Sequence, residues 1–255
     1  MYKKKSLGQH FLHNRHYLEM VADAASIERG GVVLEIGPGE GALTSVLLER
    51  GANVVALEKD ARLIGLLREK FAGETFEVIE GDALLFDISN TLPKAKKFKV
   101  VGNVPYYITG ALFKKFMSDN LQPQTLVFLI QKEVAERIAR SKKESILSLS
   151  IKAYGTPTYI KSVPAGAFVP PPKVDSAILL VSDISRKNFK NKKHEEKFFE
   201  LIKAGFGQKR KLLASNIKNL LGENYSSILQ NTGIDLKARA EDVPLEMWLE
   251  LSKSY

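Results

Sequence analysis

The chain has 255 residues, of which 44% are hydrophobic, so it can bury the core of one large domain or of one domain with a smaller companion. It contains no cysteine, which excludes disulfides and thiolate metal sites. No apolar run approaches the roughly 20 residues of a membrane-spanning helix, and no apolar stretch follows the N-terminal lysines as in a signal peptide. We therefore expect a cytoplasmic protein with no metal and no membrane partner.

The net charge of +9 is distributed unevenly along the chain. Residues 1–17 carry four basic and no acidic residues, residues 18–185 carry 20 of each, residues 186–218 carry 11 basic and 3 acidic residues, and residues 219–255 carry 3 basic and 6 acidic residues. Two basic segments therefore flank a neutral body, which favours a polyanion such as nucleic acid as the partner. Two solvated basic surfaces without a ligand would give the same pattern.

The first feature in chain order is an N-terminal arm, residues 6–12, which precedes a predicted helix over residues 15–25. The arm is preceded by lysines and contains a Phe and two Leu. It either closes over a site or packs on the surface, and spacing does not decide between the two.

A glycine-rich loop follows a predicted strand over residues 32–36 and precedes a predicted helix over residues 42–50. Gly37, Gly39 and Gly41 let the backbone approach a ligand closely, and the following helix offers free amides. The loop alone could be a tight turn without a ligand, but the strand before it and the helix after it favour a nucleotide site.

Two acids come at or just after the next predicted strands. Glu58 ends the strand over residues 53–58, at a spacing from the glycine loop that is typical of a carboxylate accepting both hydroxyls of a ribose. Asp82 follows the strand over residues 76–80 and can accept a hydrogen bond from the exocyclic amine of an adenine, although a Gly-Asp pair is also an ordinary turn.

The centre of the chain carries Asn103-Val104-Pro105-Tyr106, just beyond a predicted buried strand over residues 98–101. Ligands of open α/β sheets bind at this end of the strands. Asn103 can accept a hydrogen bond from an exocyclic amine, and Pro105 fixes the backbone so that a neighbouring main-chain carbonyl can accept the second amine hydrogen. Tyr106 offers a stacking face. A plain turn after a strand is the alternative for this tetrapeptide alone.

Strands that alternate with helices, ending with a fifth strand over residues 125–131, predict an α/β fold with a Rossmann-like, doubly wound parallel sheet. Strands over residues 159–163 and 174–181 are expected to add an antiparallel edge. Between these two, Phe168 precedes a stiff loop containing three consecutive prolines, which would hold its ring ready to stack on a base. A core Phe beside a proline-rich connection is the alternative.

Beyond a basic linker only helical patterns remain, so we predict two domains, residues 1–186 and a small all-helical domain over residues 187–255. The basic stretch 208–211 is predicted to open a helix over residues 209–221. Lys and Arg contact phosphates with little sequence preference. The candidate RNA contacts are Lys3, Lys4, Lys5, Lys209, Arg210 and Lys211.

A glycine loop followed by a ribose-binding acid fits either a dinucleotide or S-adenosylmethionine (SAM). The loop over residues 103–106 distinguishes between these two ligands. Hydride transfer from a dinucleotide does not use such a loop, whereas methylation of an aromatic amine by SAM does. Accepting both amine hydrogens would favour a tetrahedral nitrogen whose lone pair points at the methyl sulfonium. Catalysis would then depend on positioning and electrostatics for an in-line displacement.

Six motifs, in order along nearly the whole chain, resemble those of the KsgA/RsmA family of small-subunit ribosomal RNA adenine dimethyltransferases. They are S-L-G-Q-H-F-L at 6–12, E-I-G-P-G at 35–39, G-D-A at 81–83, G-N-V-P-Y at 102–106, F-V-P-P-P-K-V-D-S at 168–176 and F-G-Q-K-R-K at 206–211.

The resemblance implies SAM-dependent dimethylation of two adjacent adenosines near the 3′ end of 16S rRNA in the 30S subunit, with a role in late subunit assembly. It also implies that Phe168 and Tyr106 sandwich the flipped adenine. Some members have Asn at the position of His10, so a contact through the backbone is implied there. A monomer is expected. The implied SAM contacts are His10, Leu12, Gly37, Gly39, Glu58, Asp82 and Asn103, and the implied catalytic residues are Asn103, Val104, Pro105, Tyr106 and Phe168.

The nearest alternative is an Erm-type dimethylase acting on 23S rRNA, against which the arm and the stretch 207–211 count. A DNA adenine methyltransferase would need a target-recognition domain that the sequence does not show. A non-catalytic assembly or binding factor, or a nicotinamide oxidoreductase, would leave the loop 103–106 and Phe168 unexplained.

Overall fold

The computed structural model describes residues 10–92 and 97–254, so Lys3, Lys4, Lys5 and the first part of the arm lie outside the described residues. The chain forms two compact units. The first unit runs to Ala135 and resumes over Thr156–Ile184, and the second comprises Glu136–Gly155 and the chain from Ser185 onward. The segment 136–155, which the sequence analysis assigned to the first domain, therefore groups with the second unit.

The first unit is organised around two sheets, whose strands have the following bounds. They are β1 (Phe11–Leu12), β2 (Val32–Ile36), β3 (Asn53–Glu58), β4 (Phe76–Glu80), β5 (Lys99–Asn103), β6 (Thr125–Gln131), β7 (Thr156–Val163), β8 (Phe168–Val169) and β9 (Ser176–Ser182). Over the described residues, seven of them form one sheet in the order β4-β3-β2-β5-β6-β9-β7, while β1 and β8 form a separate antiparallel pair.

The order of the parallel strands places the site. The chain runs outward from β2 through β3 to β4 and then returns to β5, which lies on the other side of β2, with Ile36 paired with Gly102. Strand order therefore reverses between β2 and β5, and ligands bind at the carboxyl ends of such strands. The loops that follow Ile36 and Asn103 meet at this point.

The helices between the strands agree with the predicted alternation. Asn14 and Asp60 start two of them, because each side chain accepts a hydrogen bond from a main-chain N–H of the first turn. Strand β6 is buried at every position from Leu126 to Ile130, as expected for a strand covered on both faces. The helices of this unit are α1 (Arg15–Ala24), α2 (Ala42–Glu49), α3 (Ala61–Lys70), α4 (Ile88–Thr91) and α5 (Thr109–Ser118), and α6 (Lys132–Ala139) crosses into the second unit.

The predicted antiparallel addition is present and contains two strands. Strand β9 pairs antiparallel with β6, and β7 pairs antiparallel with β9 at the sheet edge. The pairing of β1 with β8, in which Leu12 lies opposite Phe168, was not predicted. Two-residue strands carry too little periodicity to be recognised in a sequence.

The described part of the second unit is helical, as predicted, and packs around Trp248. This side chain is fully buried, and its Nε1–H donates to the Val243 carbonyl at 3.1 Å. Phe206 stacks on its ring at a centroid distance of 6.0 Å. The helices are α7 (Ile146–Lys152), α8 (Lys192–Gly205), α9 (Leu213–Leu221), α10 (Tyr225–Asn231) and α11 (Leu245–Lys253).

The prediction that the basic stretch opens a helix over residues 209–221 was wrong. Helix α9 begins at Leu213 because Leu212 is extended, with ψ at 148°. The Lys211 N–H donates to the Gln208 carbonyl at 3.0 Å and closes a turn, and the Asn216 amide donates to the same carbonyl at 3.2 Å. Lys209, Arg210 and Lys211 therefore lie in a turn just before the helix.

Two features are absent from residues 10–92 and 97–254. None of the helices there has the length and apolar character to cross a membrane. Within the same ranges, no group of three or more His, Cys, Asp or Glu side chains is arranged to hold a metal ion.

Candidate active site at the ends of the parallel strands

A cavity of about 240 Å³ opens where the carboxyl ends of β2, β3, β4 and β5 meet. The order of strands explains its position, because the glycine loop after β2 and the loop after the neighbouring strand β5 both line it. Nine of the predicted site residues line it: His10, Gly37, Gly39, Glu58, Asp82, Asn103, Val104, Pro105 and Tyr106.

The remaining predicted SAM contact, Leu12, lines a smaller cavity of about 30 Å³. Gly37 and Asn103 line both cavities, so the two adjoin. Leu12 is 3% exposed and belongs to the core, which leaves its backbone as the part available to a ligand.

The glycine loop requires glycine at all three of its glycine positions. Gly37, Gly39 and Gly41 have φ angles of +66°, +59° and +79°, in the left-handed region. A Cβ on Gly39 would lie 2.6 Å from Cε1 of Phe11, so this glycine also makes room for the ring of the arm. The loop thus has the backbone freedom that the sequence predicted, and the arm packs directly on it.

Glu58 is held by the backbone around it. Its Oε2 accepts from the Gly39 N–H at 3.1 Å and its Oε1 accepts from the Asp60 N–H at 2.8 Å. The residue is 6% exposed, and burial raises the pKa of its carboxyl. A carboxylate oxygen has two lone pairs, so each oxygen keeps acceptor capacity for a ligand while its position is fixed.

Asp82 is paired with Lys59, a residue that the sequence analysis did not identify. Lys59 Nζ donates to Asp82 Oδ2 at 2.7 Å, and Oδ1 accepts from the Leu84 N–H at 2.9 Å. The hydrogen bond from Lys59 lowers the pKa of Asp82. Lys59 lines the cavity as well. Its position directly after Glu58 was the available indication, but a Lys beside an acid is common on any surface.

Asn103 is the last residue of β5, and its amide has a defined orientation. Its Nδ2 donates to the main-chain carbonyl of His10 at 2.7 Å. A carbonyl oxygen only accepts hydrogen bonds, so the amide nitrogen must face His10. The Oδ1 atom is thereby turned to the other side, as the acceptor that the predicted chemistry needs.

Tyr106 is held at both ends of its side chain. Its hydroxyl is 2.7 Å from Ser176 Oγ, and its ring faces the ring of His10 at a centroid distance of 6.4 Å and an interplanar angle of 21°. Burial raises the pKa of the phenol, so the hydroxyl is neutral at physiological pH. The ring thus has a defined position at the cavity, and its role in stacking on a base stays a prediction.

Phe168 does not line the cavity in this structure. It is 2% exposed and belongs to the same core cluster as Leu12, its partner across the β1–β8 pair. This is the arrangement of the alternative considered above, a core Phe beside a proline-rich loop. Its role as a base-stacking residue stays a prediction, and that role requires the ring to leave the core.

Glu35 is a buried acid that the sequence analysis did not select as a site residue. It is 1% exposed, its Oε2 accepts from Thr44 Oγ1 at 2.6 Å, and burial raises the pKa of its carboxyl to about 7. It lines the smaller cavity together with Leu12 and Asn103. An acid within an otherwise apolar strand was the available indication.

The described cations predicted to bind RNA lie in the second unit. Lys209, Arg210 and Lys211 are all exposed, on the turn that precedes α9. Exposed cations of this kind suit contacts to phosphate, because such contacts do not require a buried side chain.

Comparison with known proteins agrees with these features. A family model described as ribosomal RNA adenine dimethylase matches residues 1–255. The ribosomal RNA small subunit methyltransferase A of Dehalococcoides mccartyi strain CBDB1 is 40% identical over 257 residues, covering 99% of this chain and 88% of the relative. The protein of that name from Thermosynechococcus vestitus is 38% identical and covers 98% of this chain and 96% of the relative.

Two solved structures match nearly the full length. The crystal structure of the 23S rRNA methyltransferase ErmE superposes with a TM-score of 0.78 at 27% identity, covering 95% of this chain and 98% of that one. A dimethyladenosine transferase from Plasmodium falciparum superposes with a TM-score of 0.78 at 28% identity, covering 95% and 96%.

Proposed function

This chain belongs to the ribosomal RNA adenine dimethylase family and is a SAM-dependent rRNA adenine dimethyltransferase, and we propose that its substrate is the 16S rRNA of the small ribosomal subunit. There it dimethylates the exocyclic amines of two adjacent adenosines near the 3′ end. It acts as a monomer on the 30S particle or its precursor, late in assembly and in the cytoplasm. Relatives that are 38–40% identical and bear the small-subunit name support this choice of substrate.

The observation that carries the chemistry is the orientation of Asn103. The His10 carbonyl holds the amide nitrogen at 2.7 Å, so Oδ1 is the atom that can accept from a substrate amine. We assign the second amine hydrogen to the Val104 carbonyl, because the neighbouring Pro105 carbonyl already accepts one hydrogen bond, from the Ile108 N–H at 3.2 Å. Two acceptors fixed before the substrate arrives cost no reorganisation during the reaction.

The residues of the cavity fit SAM. Glu58 is fixed with acceptor capacity left for two ribose hydroxyls, and the positive φ angles of Gly37 and Gly39 let the loop backbone approach a ligand. Asp82 is kept ionised by Lys59 and can accept from an adenine amine. When bound, SAM supplies an electrophilic methyl group on a sulfonium.

The chain's own contribution to the reaction is positioning. Asn103 and the Val104 carbonyl direct the lone pair of the amine, and Tyr106 supports the base by stacking. A base in a single-stranded loop is already splayed from its neighbours, which lowers the cost of bringing it into the site. The nitrogen loses its proton after transfer, so no strong base is needed before that step.

A large-subunit target is the second candidate, because ErmE, which is described as a 23S rRNA methyltransferase, has the same fold over 95% of this chain. Its identity of 27% is lower than the 38–40% of the small-subunit relatives. A non-catalytic binding factor would not need the oriented amide of Asn103.

Methyl transfer from labelled SAM tests the proposal. Unmethylated 30S particles and protein-free 23S rRNA are offered separately, and the product nucleoside is identified by mass spectrometry. We expect dimethyladenosine in the 30S sample alone. Label in the 23S sample alone would transfer the assignment to the large subunit, and SAM binding without label in either sample would contradict both substrates.

A further inference from the structure

We infer that Lys59 is a positioning residue of the SAM site, because its ammonium fixes the Asp82 carboxylate in the orientation that accepts the adenine amine of SAM. The inference rests on the proposed function and adds to the same site a residue that the sequence analysis did not identify. It concerns recognition of the methyl donor, and the RNA target plays no part in it.

The ends of β3 and β4 bring the two residues together. Glu58 and Glu80 form the last pair in the parallel register of these strands. The Gly81 N–H then donates to the Glu58 carbonyl at 2.9 Å and holds the two segments side by side beyond that pair. Lys59 follows Glu58 directly and Asp82 follows Gly81, so both residues stand at the same edge of the sheet.

Both oxygens of the Asp82 carboxylate are held, each by a different donor. Oδ1 accepts from the Leu84 N–H at 2.9 Å, a contact within its own loop, and Oδ2 accepts from Lys59 Nζ at 2.7 Å. The first bond fixes one oxygen, and the bond from Lys59 fixes the plane of the whole group. Each oxygen has a further lone pair, so the carboxylate can still accept from a ligand amine.

Both partners of the pair stay charged at neutral pH. The hydrogen bond between them raises the pKa of Lys59 and lowers the pKa of Asp82. A charged acceptor makes a stronger hydrogen bond than a neutral one. The pair therefore presents a fixed anion to the exocyclic amine of the adenine.

The location of this pair distinguishes it from an ordinary surface ion pair, which usually contributes little. The Lys59 side chain is 57% exposed and that of Asp82 is 27% exposed. Both residues nevertheless line the cavity of about 240 Å³ together with Glu58, the predicted acceptor of the ribose hydroxyls. We therefore expect the pair to act on ligand affinity, and only by a few-fold because water reaches it.

The test is isothermal titration with three ligands: SAM, S-adenosylhomocysteine, and the analogue of S-adenosylhomocysteine whose purine lacks the exocyclic amine. Lys59→Met removes the ammonium and keeps most of the side-chain stem, and Lys59→Arg restores a cationic donor. Lys114→Met is the matched control at an exposed position on α5. Asp82→Ala removes the acceptor itself.

We expect Lys59→Met to weaken SAM and S-adenosylhomocysteine equally, by roughly 3- to 5-fold, the upper end of what a partly exposed pair contributes. The amine-free analogue should bind this variant as it binds the wild type, so the preference for the amine falls by the same factor. Lys59→Arg should recover most of the preference, and Lys114→Met should keep it. In the Asp82→Ala background, Lys59→Met should lower the preference no further, because the two residues act through one contact.

Four results would overturn the inference. An undiminished preference for the amine in Lys59→Met would show that Lys59 is inert or competes with the amine for Asp82. Equal loss of affinity for all three ligands would reduce Lys59 to a part of the cavity wall. A gain in affinity for SAM alone would show that Lys59 acts by repelling the sulfonium. Equal wild-type affinity for the ligands with and without the amine would remove the contact to Asp82.

The assay on 30S particles is independent of these measurements. Failure of the wild type to methylate the particles would count against the proposed substrate and would leave the three ligand affinities as they are. The failure of the inference and the failure of the proposed function are therefore distinguishable.

Discussion

The two compact units use charge in opposite ways. In the first, acids are buried and held by directional hydrogen bonds: Glu35 is 1% exposed, Glu58 is 6% exposed, and both accept from defined donors. In the second, Lys209 and Lys211 are exposed on a turn. The difference predicts that the first unit recognises its ligands by the placement of single atoms and that the second recognises its partner by the sum of its charges.

This comparison predicts different responses to mutation and to solvent. A buried acceptor is sensitive to the exchange of one atom, since a mispaired buried group costs about 1 to 3 kcal/mol. Exposed cations contribute through counterion release, which depends on their number and on salt. The experiments below test each side of the contrast, from the largest expected effect to the smallest.

The largest effect is expected from Asn103→Ala. Removing the oriented acceptor should lower kcat by about 10²- to 10³-fold, as removal of one preorganised hydrogen-bonding group does in other active sites. SAM should still bind measurably, because Glu58 and Asp82 remain. Single-turnover methyl transfer and equilibrium SAM binding separate the two quantities, and full activity in the variant would remove Asn103 from the mechanism.

Glu35→Gln should change how stability depends on pH. Burial raises the pKa of Glu35 from 4.5 to about 7, so the folded state binds this proton more tightly than the unfolded state. The resulting stabilisation is fully present below pH 4.5 and is lost as the pH rises to about 7, which amounts to about 3 kcal/mol.

The free energy of unfolding, measured with urea from pH 4.5 to 8 without SAM, should fall less steeply with pH in Glu35→Gln than in the wild type. Glu77→Gln, at an exposed position on β4, is the control and should keep the wild-type slope. Identical slopes in all three proteins would mean that Glu35 does not titrate in this range.

Glu58→Gln should weaken SAM binding by roughly 10- to 100-fold, because an amide places a donor where Gly39 and Asp60 both donate. Glu80→Gln is the matched control, since Glu80 pairs with Glu58 in register at the end of β4 but is exposed. Isothermal titration with SAM measures both variants. Equal affinities would argue against ribose binding at Glu58.

The smallest effect per residue is expected for the basic turn. Replacing Lys209, Arg210 and Lys211 by Ala should weaken rRNA binding and reduce the slope of log K against log salt by about 2, with SAM binding unchanged. A matched triple of exposed cations in the first unit, Arg68, Lys114 and Lys161, removes the same charge elsewhere. Equal losses in both triples would show that only net charge matters.

The sequence predicted the sheet well because its strands are continuous apolar runs that end in glycine or polar residues. Strands β2, β3, β4 and β6 have the predicted bounds. It also indicated which loops meet at one cavity, since Gly37, Glu58, Asp82 and Asn103 each stand at or just beyond a strand end and line that cavity. Hydrophobic periodicity and the spacing of motifs are local properties of the sequence, so they can be recognised without knowing the tertiary contacts.

Contacts between distant segments were not predictable in the same way. The start of α9 at Leu213, the Lys59–Asp82 pair and the burial of Phe168 each depend on partners that no local pattern identifies. The sequence around a charged or aromatic residue looks the same whether its side chain is exposed, paired or buried. Its environment decides its role, and that environment is set by packing.

By itself, the sequence determined the alternation of strands and helices and the family, and it placed the candidate site at the ends of the parallel strands. Only the tertiary structure decided which atoms meet there. In the folded chain β1 pairs with β8, and the His10 carbonyl orients the Asn103 amide by accepting its hydrogen bond. The His10 ring lies beside the ring of Tyr106. These contacts join residues about 90 to 160 positions apart, and hydrogen bonds at that separation follow from the packing of the whole unit.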